Sequence, residues 1–93
     1  MRRIIDGKRY DTETSTEVYD WTNGLPCGDF SAVTLTLYRT TRDAWFMVKE
    51  NGASATLIAK TPASAFAFLQ ENSNDRTAFE AAENFFPENI TDA

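Results

Sequence analysis

The chain has 93 residues, 42% of them hydrophobic and 13% aromatic, which is enough apolar surface to close a core and excludes wholesale disorder. Fourteen acidic against nine basic residues give a formal charge of -5, the opposite of what a general nucleic-acid binder carries. His is absent and there is one Cys, which removes the commonest general base, the commonest metal ligand and any internal disulfide.

The length predicts a single domain over residues 1–93. Asp6, Lys8 and Arg9 interrupt the N-terminal stretch before an apolar run develops, and no apolar run is long enough to cross a bilayer. The expectation is a cytoplasmic protein without a membrane segment. Cys27 reads as an incidental loop thiol, and the sequon Asn89-Ile90-Thr91 as a chance match.

In chain order, residues 3–10 form two short runs around Asp6-Gly7, a type I′ hairpin signal. Thr16 to Thr22 is a second β segment, with Val18 expected on one face and Tyr19 and Trp21 on the other. A turn cluster follows over residues 23–29. Over residues 32–40, Val33, Leu35 and Leu37 alternate with Thr34, Thr36 and Tyr38, the period of a half-buried strand. Residues 44–50 alternate again, with Phe46 and Val48 against Trp45, Met47 and Lys49, and Asn51-Gly52 signals a turn into a return strand over 53–60. Thr61-Pro62 is an N-cap followed by proline at the first helical position. A second helix begins near Asn74 or Asp75; Phe79, Ala82 and Phe86 make its apolar stripe, Arg76, Glu80, Glu83 and Asn84 face away, and Pro87 ends it. The fold class is α+β, an antiparallel meander with two C-terminal helices packed on one face, since a sheet's apolar face must be covered.

Charge is unevenly distributed. Residues 1–9 sum to +3, residues 10–38 to -5, residues 39–60 to +2 and residues 61–93 to -5. The acids do not match a calcium-loop pattern, and a chain this small rarely builds a groove for paired-carboxylate sugar chemistry, so no metal, no cofactor and no catalysis are expected. A third reading is a surface that imitates a phosphate backbone. Alternate strand residues lie roughly 6.6 Å apart and i, i+3 helical neighbours about 5–6 Å apart. Asp11, Glu13, Glu17, Asp20 and Asp29 in the first acidic segment, and Glu80 and Glu83 in the second, are the candidate contacts. A mild acidic excess is also ordinary solubility chemistry, and charge alone favours that reading over mimicry. Tyr19 and Trp21 are candidate aromatic anchors if they surface beside the acids, and core residues if helices cover their face.

The opening Ile4-Ile5-Asp6-Gly7-Lys8-Arg9-Tyr10-Asp11-Thr12-Glu13-Thr14 resembles the I-x-G-K-x-Y-D-T-x-T start of a family of small proteins from bacterial phages and mobile elements. Gly28-Asp29-Phe30, Leu37-Tyr38-Arg39-Thr40 and Trp45-Phe46 extend the likeness, whereas Glu50-Asn51-Gly52-Ala53 stands where many relatives carry Glu-Gly-Gly. Some of these relatives are similar to anti-CRISPR proteins, including type I-C inhibitors. The resemblance implies a non-enzymatic inhibitor whose partner is a protein subunit of a type I CRISPR-Cas effector, bound at its DNA-recognition surface without direct nucleic-acid contact. The alternative is an accessory module of a mobile element, a scaffold or antitoxin-like partner.

Overall fold

The structure is a computed structural model that describes residues 1–26, 31–52 and 54–93. It is α+β. Strands β1 (Arg2–Ile5) and β2 (Lys8–Asp11) form a hairpin, β3 (Thr16–Thr22), β4 (Val33–Arg39), β5 (Trp45–Asn51) and β6 (Ser54–Lys60) form a four-stranded antiparallel meander in chain order, and α1 (Pro62–Glu71) and α2 (Arg76–Phe85) follow. A short 3-10 turn, Pro87–Asn89, closes α2 where the proline was expected to stop it.

Local chemistry explains the boundaries. Asp6 and Gly7 both have positive φ, at 52° and 76°, the backbone a two-residue type I′ turn demands, and Ile5 pairs with Lys8 across it. Thr61 Oγ1 accepts the Ser64 N–H at 3.1 Å and so caps α1 ahead of Pro62. Asp75 caps α2, its Oδ1 accepting the Thr77 N–H at 3.0 Å. The Asn51-Gly52 turn falls one residue later than expected: Asn51 pairs with Ser54, so Gly52 (φ 61°) opens the tip.

The meander is covered on both faces, which alternation alone did not anticipate. On one face lie Tyr19, Leu37, Trp45 and Met47, sealed by Ala65 and Leu69 of α1 and Ala78, Ala81, Ala82 and the C-capping Phe86 of α2. Trp45 stacks on Phe86 at 5.0 Å and meets Phe85 edge-on at 5.5 Å, while Arg39 lies over Phe85 at 5.3 Å. On the other face the hairpin lays Tyr10 over Phe46, with Val48 and Leu57 completing a second, smaller cluster. Tyr38 stacks on Phe46 at 5.0 Å, and Arg3 donates to the Leu57 carbonyl at 2.9 Å, tying the hairpin to β6. Trp45, Phe46, Met47 and Val48 are therefore buried in succession, as in a strand with two covered faces. The expected α2 stripe needs one correction: Phe79 is exposed and Ala81 is buried in its stead, because the sheet-facing arc runs through the three alanines.

Candidate protein-binding surface

The site is built on β3, the edge strand of the meander. Glu17 pairs with Tyr38 and Tyr19 with Leu37, so two residues of β3 span one step of β4 and Val18 is a bulge. This has a direct consequence for the acids. In a regular strand, residues three apart point to opposite faces; the extra residue returns Glu17 and Asp20 to the same face, the one the hairpin only partly covers. It also turns Val18 toward the helices together with Tyr19, not away from it as the period of two predicts.

Asp20 sits opposite Thr36, and Glu50 of β5 lies on the same face two strands further in, opposite Thr34. Glu17, Asp20 and Glu50 are all exposed, and among the described residues none has a cation within ion-pair distance. Two of the three act on Tyr38: burial pushes its phenol above the ordinary value of 10.0, and the nearby carboxylates of Glu17 and Glu50 push it further. Glu50 was not among the sequence candidates because its segment sums to a positive charge. The signal was nevertheless available, since Glu50 follows Phe46 and Val48 at the strand period.

The other candidates are scattered. Asp11 is half-buried and acts as a turn former: its Oδ1 accepts the Glu13 N–H at 3.0 Å and its carbonyl accepts the Ser15 hydroxyl at 2.7 Å. Arg2 is its strand partner, and Lys8, Arg9 and Arg42 share its groove, so it belongs to a mixed-charge region. Glu13 is exposed in the same turn. Glu80 is paired with Arg76 at 3.0 Å one helical turn away, and Glu83 is exposed beyond it. Asp29 lies outside the described residues.

Tyr19 and Trp21 belong to the core, not to an exposed aromatic patch. Tyr19 is 4% exposed, packs near Phe68 at 5.7 Å, and donates its hydroxyl to Asp75 Oδ2 at 3.1 Å. Burial first, and that carboxylate second, raise its phenol above 10.0. Trp21 is half-buried against the same helix-side cluster. Among the described residues no group of three His, Cys, Asp or Glu is arranged to hold a metal, and no helix is long and apolar enough to cross a membrane. The chain matches no family model, no curated protein and no solved structure.

Proposed function

We propose that this chain works without catalysis, by binding another protein, as an anti-CRISPR inhibitor of a type I (I-C) surveillance complex in the cytoplasm of a bacterial host. The opening motif supplies the family resemblance, and the observation that carries the mode of action is the bulge at Val18, which puts Glu17 and Asp20 on the face that also carries Glu50. Duplex DNA carries about one charge per 1.7 Å, so three carboxylates stand in for roughly one and a half base pairs. Charge of that extent steers an encounter with a basic DNA groove and makes it salt-sensitive, while shape and apolar contact supply the rest of the affinity.

The test is a plasmid-interference assay with the triple variant Glu17→Lys, Asp20→Lys, Glu50→Lys. Inhibition is expected to be lost, with a melting temperature close to the parent's because all three positions are exposed; Glu80→Lys with Glu83→Lys should leave it intact. Undiminished potency of the triple variant excludes this face as the binding surface.

A second reading, the accessory scaffold, draws on the apolar groove of about 260 Å³ between the helices and the C-terminal segment, where Phe79 is 50% and Ile90 42% exposed. It predicts concentration-dependent self-association in sedimentation velocity that Phe79→Ser removes, and no competition with target DNA for a surveillance complex.

A further inference from the structure

A polar groove of about 590 Å³ lies between the hairpin and the β4–β5 turn, a volume within the usual range for small-molecule sites. Its walls bring together Lys8 and Arg9 of β2 and Arg42 of the turn, with Asp11 as the one carboxylate. In a chain of charge -5 this is a local inversion of sign. Among the described residues, none of the three cations has a carboxylate within ion-pair distance.

Neighbouring acids are diverted from the groove. Asp43, next to Arg42, is held at φ 64° and its carboxylate pairs with Arg39 at 2.6 Å. The Asp11 carboxylate accepts the Glu13 N–H. Donors besides the cations also converge. Thr40 Oγ1 accepts the N–H groups of Arg42 (3.3 Å) and Ala44 (3.0 Å), which leaves its own O–H to donate, and Thr41 stands beside it. Tyr10 is 8% exposed, yet no side-chain polar atom of a described residue is buried without a partner, so its hydroxyl keeps contact with solvent, and the residue itself lines the groove. Thr14 and Ser15 direct their hydroxyl protons to the Asp11 carbonyl instead.

We infer that this groove is a binding site for a compact phosphate-bearing small molecule carrying two or three phosphoryl groups. A guanidinium fork matches phosphate oxygens in pairs and a lysine adds a point charge; Arg42, Lys8 and the Thr40 and Thr41 hydroxyls form the donor set, with Arg9, on the outward side of β2, adding positive charge at the rim. The ring of Tyr10 is committed to Phe46, so the groove offers phosphate recognition without a stacking face for a base. Gly7, Lys8, Arg9 and Tyr10 of the opening run, idle in the proposed inhibitory margin, thereby acquire a role, and the inference stands independently of that margin.

Isothermal titration of the full chain with inorganic pyrophosphate and inorganic triphosphate, at fixed ionic strength and with sulfate as the control anion, tests it. Saturable binding at about millimolar affinity or tighter is expected, weakened by roughly tenfold or more in Arg42→Gln and in Lys8→Gln, and unchanged in Lys49→Gln on the opposite face. Asp11→Asn keeps the oxygen that accepts the Glu13 N–H but removes the opposing charge, so it should tighten binding, an effect a damaged fold does not produce. Absence of saturable heat, an equal response to sulfate, or equal losses in the Lys49 variant would overturn the assignment.

Discussion

The two faces of the meander are covered to very different depths. Ten buried residues from the sheet, both helices and the residue capping the second make the helix-side core, against four on the hairpin side. The cover differs in kind: two ten-residue helices on one side, two four-residue strands on the other. A small lid seals Phe46, Val48 and Leu57 but reaches neither the β3 margin nor the mouth of the β4–β5 turn. The acidic margin and the cationic groove both lie on this thinly covered face, so the helix side supplies rigidity and the hairpin side supplies the surface chemistry.

The largest effects should come from breaking each core in turn. Leu37 and Phe46 are fully buried on opposite faces. Leu37→Ala should cost about 3 kcal/mol and Phe46→Ala about 3–4 kcal/mol, read as falls in melting temperature. The comparison predicts a difference in pattern: Phe46→Ala should speed amide hydrogen exchange in β1 and β2 well before β4 and β5, whereas Leu37→Ala should loosen the whole sheet. Equal exchange across both regions in the Phe46 variant would mean that hairpin and sheet open as one unit.

A smaller effect tests the link between sheet and helix. The Asp75 carboxylate holds the Thr77 N–H with one oxygen and the Tyr19 hydroxyl with the other. Asp75→Ala should cost about 1–2 kcal/mol, and Tyr19→Phe about 1 kcal/mol. The tyrosine also has a pH signature. Its folded pKa is raised above 10.0, so above that pH the unfolded chain gives up the proton while the folded chain retains it, and stability falls as pH rises. Below pH 10 the contribution is present in full. Tyr19→Phe should flatten this alkaline decline in a series of denaturant titrations, leaving the part that comes from Tyr38, whose phenol is raised as well.

Much of the architecture was legible because it is encoded locally. Asp6-Gly7 at a turn needing positive φ, Thr61-Pro62 at a helix start and the alternation from Val33 to Tyr38 each act within a few residues. The misreadings share a different cause: they depend on partners distant in sequence. That the sheet's second face is roofed by the hairpin is fixed by Tyr10 meeting Phe46 and by Arg3 reaching Leu57. The exposure of Phe79 depends on which arc of α2 meets the sheet. In the candidate site, Glu17 and Asp20 were named from their charge, but their common face comes from a bulge that only the pairing with β4 reveals, and the same pairing sends Tyr19 and Trp21 inward.

That bulge has a further consequence. The outer side of β3 is an unfinished sheet border, and a flat seven-residue strand there would invite another chain to add itself. The extra residue at Val18 twists the border locally, and two like charges side by side repel an identical border approaching from a second molecule. Glu17 and Asp20 thus also act as gatekeepers that keep neighbouring copies from stacking into a continuous ribbon, whatever else they engage.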